Sequence, residues 1–379
     1  MSQHTRPIRK LAIAFSLLTI SGLLPACDLA RSIDTRNLPE QFIIASIDGD
    51  RRVDAFVRTH RSPLANRQTW TDDGALFSGA GPIDTVNGPP YGGTRILGRG
   101  GGSPGIGSNG AFNVIAFWGR TDADPVDSRS VTMYVATSQD GVSWTWPVAV
   151  HSTTDVHSNT EGIVRSAGIS VAPQGLNGPW FAAFADVTGT ITIIPLPIES
   201  NGAIVSPFDT TPATIANAAT NGAPGLSHFG GALVLAFRPQ GPEMPVHLLT
   251  TTDGRAWPDG SANVAAMTGG VPLMTSFSAP YLHNALGDDL YLTTTGSGPN
   301  PGGRLRVHRS NDGVNFAQVV SFPVDDSGFE GGASAGPATE LVVVYPERGT
   351  ATAVMGPGLT EWTISTSTQR RVTIALGAM

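Results

Sequence analysis

The chain has 379 residues, 40% of them hydrophobic, with 46 glycines, 29 prolines and one cysteine. That apolar fraction is enough for a packed core, so the glycine and proline content implies many tight turns and excludes a disordered chain. A net charge of −7 with no basic stripe excludes a nucleic-acid partner, and because Lys10 is the only lysine, Schiff-base and lysine-base chemistry are excluded beyond it.

The N-terminus begins with Arg6, Arg9 and Lys10, followed by the apolar run Leu11–Leu24. That run is too short to span a bilayer comfortably. Leu24-Pro25-Ala26-Cys27 then resembles a bacterial lipobox. The resemblance implies that residues 1–26 are a secretory signal and that Cys27 carries lipid. Residues 27–40 become a polar tether and 41–379 the folded domain. The protein would then be exported and held at a membrane of the bacterial cell envelope through its lipid anchor alone. A plain secretory signal and a retained anchor are the alternatives. With one cysteine, no intramolecular disulfide forms.

Beyond the tether the chain repeats itself. Each unit has a small-residue lead-in, an apolar run, a second apolar run and a turn. The lead-ins are Ser103-Pro104-Gly105, Ser166-Ala167-Gly168, Ala223-Pro224-Gly225, Ser278-Ala279-Pro280 and Ser334-Ala335-Gly336. The central runs are Asn113–Phe117, Trp180–Phe184, Leu233–Phe237, Leu290–Thr294 and Leu341–Tyr345. The third runs are Val131–Ala136, Ile191–Pro195, Val246–Thr250, Leu305–His308 and Ala351–Met355. A first unit, Phe42–Ile47 with Val53–Phe56, fits less well. The final run Arg371–Leu376 is placed to pair with it.

The turns share the form Ser/Thr-x-Asp-Gly-x-x-aromatic. Ser138–Trp144, Thr251–Trp257 and Ser310–Phe316 carry it, and Thr71–Phe77 repeats it. The aspartates Asp73, Asp140, Asp253 and Asp312 are 67, 113 and 59 residues apart. A decayed copy, Glu199–Val205, fills the long gap with Asn201 in place of Asp. In the last unit the turn has decayed to Gly356–Glu361, with Trp362 retained. Asp-Gly between apolar runs is a hairpin signal: the carboxylate accepts backbone N–H groups and glycine takes positive φ. The aspartates therefore read as fold-forming residues. Fixed-period units of about 60 residues with four strands each predict an all-β protein, a β-propeller of six blades of four antiparallel strands. Five or seven blades are the alternatives.

The repeated turn resembles the Asp-box of bacterial neuraminidase repeats, found in sialidase-like propellers. The resemblance covers about residues 40–365 and assigns Asp73, Asp140, Asp253 and Asp312 to the boxed position. It implies the fold and leaves activity open, since boxed propellers serve glycosidases and non-enzymes alike. The Phe/Tyr-Arg-Ile-Pro motif of sialidases is absent, Arg95-Ile96-Leu97 being the nearest string. Arabinanase-type glycosidases share the turn and use Asp and Glu pairs.

If the Asp-Gly turns join the third and fourth strands, ligand-contacting loops belong on the opposite face. The segments 80–102, 151–165, 206–222, 260–277 and 318–333 read as long crossovers there. Glu161 and Glu330 precede their lead-ins at nearly equivalent places, and Asp186 follows its central strand. Two carboxylates from different blades could act as an acid–base or nucleophile pair. Arg95, Arg165, Arg120 and Arg238 are the candidate ligand-binding cations of the same face. Each of these charges also has a plain reading as a solvated loop residue. His151-x-x-x-Asp155-x-His157 lacks metal-site geometry, so no metal and no cofactor are expected. Tyr345 aligns with Phe117, Phe184 and Phe237 and reads as core. The function expected is glycan or envelope-protein binding at the cell envelope, with an exo-acting glycoside hydrolase as the alternative.

Overall fold

The chain divides into two units, Met1–Leu38 and Pro39–Met379. The computed structural model describes backbone strands between Gln41 and Gly377, all in the second unit, and side chains for most of residues 104–321, apart from segments that include 122–130, 140–143, 154–167, 206–210, 276–279, 285–288 and 297–303. The described strands form five four-stranded antiparallel sheets, one five-stranded sheet and a two-stranded ribbon. Among the described residues no helix is long and apolar enough to cross a membrane.

The first sheet joins the two ends of the domain. Its order is Thr373–Gly377, Gln41–Ile47, Val53–Thr59, Thr71–Ala75. Gln41 pairs with Gly377 and Ala45 with Thr373, antiparallel. The expected pairing of the last run with the first unit is therefore present, and it gives this sheet its fourth strand. One expectation fails here. Thr71–Ala75 lies within a strand paired to Asp54–Val57, so Asp73 is not at a turn between strands.

The second sheet contains Asn113–Thr121, Val131–Ser138 and Val148–Thr153, with Gly105–Ser108 and Ile96–Gly98 both paired to Asn113–Thr121. The third runs Ser170–Pro173, Trp180–Ala185, Thr190–Leu196, Ala213–Ala219. The fourth runs Gly225–Phe229, Ala232–Phe237, His247–Thr251, Val264–Ala265, and the ribbon Met267–Thr268 with Val271–Pro272 follows it. The fifth runs Tyr281–Asn284, Leu290–Gly296, Arg304–Ser310, Ala317–Pro323. The sixth runs Gly332–Ala335, Leu341–Glu347, Thr350–Met355, Thr360–Thr366.

The crossovers are shorter than the sequence implied. Ala213–Ala219 was hidden inside the segment 206–222 because it is an outer strand with one buried face. Only Ile215 and Ala218 in its middle are buried, so it shows no apolar run.

The middle strands of the third and fourth sheets are apolar on both faces because these sheets are covered on both sides. In Trp180–Ala185, Trp180, Ala182 and Phe184 pack against Phe112, Val114, Ala116, Trp118, Met133 and Val135 of the second sheet. The alternate residues Phe181 and Ala183 pack against Leu226, Leu233, Leu235 and Phe237 of the fourth. Val234 and Ala236 then face Leu282, Leu290, Leu292 and Phe316 of the fifth. A period of two with both faces buried reads as a continuous apolar run. Burying a ring such as Trp180 or Phe181 removes about 200 Å² from water, roughly 4–5 kcal/mol at the usual coefficient. Phe117, Phe184 and Phe237 are all buried, as their alignment predicted.

The first strands of the sheets lie side by side in chain order. Gly105–Ser108 packs beside Ser170–Pro173, which packs beside Gly225–Phe229, then Tyr281–Asn284, then Gly332–Ala335, then Thr373–Gly377; this last strand packs beside Gly105–Ser108 again. Close approach explains the small lead-ins. A Cβ on Gly105 would meet the Ile169 carbonyl oxygen and Val171 Cγ2 at 2.8 Å. One on Gly225 would meet Leu282 N at 2.9 Å as well as the Pro280 carbonyl oxygen. Ser170 Oγ donates to the Pro224 carbonyl at 2.7 Å and ties two of these strands together.

Candidate functional site

The Asp-Gly turns are built as their chemistry predicts. Asp253 Oδ1 accepts from Arg255 N at 2.9 Å, Ala256 N at 2.8 Å and Thr251 Oγ1 at 3.0 Å. Asp312 Oδ1 accepts from Val314 N at 2.9 Å, Asn315 N at 2.7 Å and Ser310 Oγ at 2.9 Å, while Asn315 Nδ2 donates to its Oδ2. These bonds favour the ionised form. The Ala256 and Arg255 amides lead in holding Asp253 low, and the Asn315 side chain and amide lead for Asp312. Both turns join third to fourth strands, so they sit at one end of their sheets. They are structural corners with their carboxylate oxygens already engaged.

The two loop candidates that the structure describes, Asp186 and Arg238, follow second strands and so lie at the other end. Asp186, between Trp180–Ala185 and Thr190–Leu196, accepts through Oδ1 from Thr188 N at 2.8 Å, Thr188 Oγ1 at 2.6 Å and Thr190 N at 2.9 Å. This carboxylate staples its own hairpin. Arg238, in the next sheet's equivalent loop, is half-buried, and its Nε makes no hydrogen bond among the described residues. Burial lowers its guanidinium from the ordinary value. Gln240 Nε2 donates to the Thr188 carbonyl at 2.6 Å and links these two loops. Arg120 lies on strand Asn113–Thr121 opposite Leu97. Glu161, Glu330, Arg95, Arg165, Cys27 and Asp140 lie outside the described residues, and so do Asp155 and His157. His151 stands on Val148–Thr153, its ring packed near Phe184 at 5.8 Å and Trp118 at 6.5 Å.

The sequence reading missed the polar groups on the first strands. Gly105–Ser108, Ile169–Pro173, Leu226–His228 and Tyr281–His283 line a shallow open depression with about 30 Å³ of internal space. Its polar side chains are Ser108, Ser170, Ser227, His228, Tyr281 and His283. Burial lowers His228. His283 keeps some exposed surface yet lies deep among protein atoms, and burial, aided by nearby His228, pushes it down to about 3. Both imidazoles are therefore held toward the neutral form. Ser227, His228 and His283 lie two or three residues past small-residue lead-ins, but nothing local in the sequence marks them as neighbours.

No known protein-family model and no curated protein matches the chain. Among solved structures, it is similar to an Aleuria aurantia lectin in complex with alpha-methyl-L-fucoside, at 11% identity and a TM-score of 0.45, over 86% of this chain and 92% of that one. It is also similar to a Penicillium chrysogenum alpha-L-arabinanase complexed with arabinobiose, at 12% identity and a TM-score of 0.39, over 70% and 79%. A Trypanosoma rangeli sialidase is a third, at 12% and 0.42, over 84% of this chain and 50% of that one. At these scores the likeness carries no argument about what this chain does.

Proposed function

We propose that the six sheets are the blades of one β-propeller and that the depression on its axis binds carbohydrate. The observation that carries this reading is the side-by-side succession of first strands, four of which line a depression that carries hydroxyls and imidazoles. A hydroxyl-rich ligand needs mixed donors and acceptors at short range, and the lining carries residues of both kinds, Ser227, Tyr281, His228 and His283. Pairing of the N- and C-terminal strands in one sheet supports ring closure, because it leaves no open seam between the first and last units.

The leader sequence supports export with Cys27 as the lipid-bearing residue, which would hold the propeller at the envelope, where glycans and envelope proteins are the available partners. The sialidase-like Asp-box reading rests on the turns at Asp253 and Asp312. Binding is favoured over hydrolysis because Asp186, the one described catalytic candidate, is committed to its own turn.

A glycan array probed with the purified protein tests the reading, beside a turnover screen on aryl glycosides with Glu161→Gln and Glu330→Gln as comparisons. Binding without turnover is expected. Turnover that either substitution abolishes would replace binding by hydrolysis, and silence in both assays would remove carbohydrate altogether.

A further inference from the structure

Five Asn-Gly pairs occur in the chain, beginning at Asn87, Asn109, Asn177, Asn201 and Asn221. The pair has one chemical weakness. Glycine carries no side chain, so its backbone amide can reach the side-chain carbonyl carbon of the asparagine before it. We infer that Asn177 is a site of spontaneous modification, where the side-chain amide is converted to a carboxylate, and that the turns at Asn109 and Asn201 hold the same dipeptide unreactive.

The step needs no co-reactant but water. Gly178 N gives up its proton and bonds to Asn177 Cγ. The Cγ–Nδ2 bond breaks, and Nδ2 leaves as ammonia with a proton from water. Water then opens the five-membered imide at one of its two carbonyls, leaving aspartate or its β-linked isomer. The reaction requires an asparagine side chain free to turn, a glycine amide not held elsewhere, and access for water.

Two of the turns withhold these conditions. Asn109 is buried, its Oδ1 accepts Ala111 N and Phe112 N at 3.0 Å each, and Gly110 N donates to Ser108 Oγ at 3.2 Å. Asn201 Oδ1 accepts Ala203 N at 2.8 Å, and Gly202, itself buried, donates its N–H to the Glu199 carbonyl at 2.9 Å. Asn177 differs on each count. It is exposed in the hairpin between Ser170–Pro173 and Trp180–Ala185, and Gly178 is half-buried. No hydrogen bond among the described residues holds the Asn177 side chain. The backbone bond across this hairpin loop runs from Gln174 N to the Pro179 carbonyl at 2.8 Å and engages neither Asn177 nor Gly178. Glycine is fixed at 178 all the same, because a Cβ there would run into the Gln174 carbonyl. The susceptible pair is thus a consequence of a close backbone crossing. Gln174 Nε2 donates to the Thr252 carbonyl, so conversion puts a new negative charge on the loop that touches the Asp253 turn.

Incubation of the full-length protein in mildly alkaline buffer, followed by digestion at glutamate and fragmentation mass spectrometry, tests this. Cleavage after Glu199 separates Asn177 from Asn201. Expected is conversion at Asn177 roughly tenfold or more faster than at Asn109 and Asn201 in the native protein, because those two must open locally before they react. In denaturing urea the difference should vanish, since all three then share one dipeptide in an unfolded chain. An isoaspartyl methyltransferase should label the peptide that carries residue 177, and Asn177→Gln should remove that label with an unchanged thermal melt. Equal native rates at the three asparagines would overturn the inference. An Asn177 that stays intact in the native protein would overturn it too, whatever happens in urea. A ratio that persists in urea would trace the difference to sequence neighbours and overturn the protection assigned to the turns.

Discussion

The turn at Asn201 and the turns at Asp253 and Asp312 solve one packing problem with different hydrogen bonds. In all three a glycine with positive φ lies on an aromatic ring of the preceding sheet: Gly202 on Phe112, Gly254 on Phe181, Gly313 on Phe229. The side-chain staples differ. The two aspartates accept two backbone amides and a hydroxyl each. Asn201 Oδ1 accepts only Ala203 N, at 2.8 Å, and backbone bonds close the rest, Gly202 N to the Glu199 carbonyl and Glu199 N to the Ala203 carbonyl, both 2.9 Å. Thr137 of the second sheet adds a bond from its Oγ1 to the Gly202 carbonyl at 2.8 Å. The aromatic that follows is replaceable too: Trp257 and Phe316 anchor two turns, while the third has Val205 in that position, with the neighbouring Ile204 packed against the core. What survives decay is the glycine against the neighbouring ring. The contact between sheets is the constraint, and the carboxylate is one means of meeting it.

The strongest way to break this comparison is at the glycines. A methyl on Gly254 would overlap the Phe181 ring as well as occupy a left-handed backbone conformation. Strain of about 1–2 kcal/mol and overpacking of about 1–3 kcal/mol add, so Gly254→Ala should cost about 3–4 kcal/mol. Gly202→Ala and Gly313→Ala, whose rings lie 3.1 Å from the added carbon, should cost about 2 kcal/mol, mostly strain. Gly231→Ala is the control: φ is 82° but the space is open, so only the strain term applies. Urea unfolding of the four variants should rank them in that order. Equal losses at all four would mean that the rings are not the reason for the glycines.

How much of this was legible follows from what each residue reports. The middle strands were readable because both faces are buried, which makes Trp180–Ala185 and Ala232–Phe237 continuous apolar runs. The turns were readable because Asp-Gly has one dominant chemistry. Strand Ala213–Ala219 was not, since one exposed face erased its apolar signal, and Thr71–Ala75 misled because an Asp-Gly pair can also lie in a strand. The candidate site was read onto loops through Glu161, Glu330 and the arginines. The depression escaped notice because Ser227-His228 and His283 come together only when two strands some 55 residues apart in the chain, Gly225–Phe229 and Tyr281–Asn284, are placed side by side, and no local pattern records that placement.

Protonation separates the two kinds of turn from their surroundings. His308 lies on Arg304–Ser310, the strand leading into the Asp312 turn; its Nε2 is 3.3 Å from Thr294 Oγ1, and burial pushes it down to about 4, with Arg306 contributing. Its folded value lies below the unfolded 6.5, so the unfolded chain binds the extra proton. Stability is therefore full above about pH 6.5 and falls as pH drops toward 4, by about 3 kcal/mol for this residue. His283 adds a loss in the same direction, extending toward pH 3. The depressed aspartates act later: their contribution is present above about pH 4 and lost only in more acid solution. His308→Leu should reduce the slope of the limb between pH 6.5 and 4, leaving the share from His283 and the more acid limb in place, measured by urea midpoints across pH. If the upper limb kept its slope in this variant, His308 would not be its source.

Removing the staples should cost less than crowding the rings. Asp312→Ala frees two backbone amides and the Ser310 hydroxyl, comparable with loss of a helix cap, about 1–2 kcal/mol. Asn201→Ala frees one amide beside a turn that backbone bonds already close, so about 0.5 kcal/mol is expected. Equal losses would contradict the reading that the Asn201 turn has transferred its stability to the backbone.

The smallest expected effect is the most discriminating. Asn201→Asp restores the side chain of the other turns without altering the glycine or its ring. If the carboxylate were the decisive element, this substitution would stabilise the turn as strongly as Asp312→Ala weakens its own. The geometry argues otherwise. In the other turns the carboxylate takes a hydroxyl two residues back and the amides two and three residues on; here Glu199 replaces the hydroxyl residue and Ala203 N is already held, so a carboxylate gains at most the Ile204 amide. It also stands two residues from Glu199, a like charge. A gain of no more than about 0.3 kcal/mol is expected, read as a shift in urea midpoint at pH 7 and low salt, where the repulsion is least screened. A gain above about 1 kcal/mol would show that the turn had room for the full staple, and that its loss of aspartate was drift rather than replacement by backbone bonds.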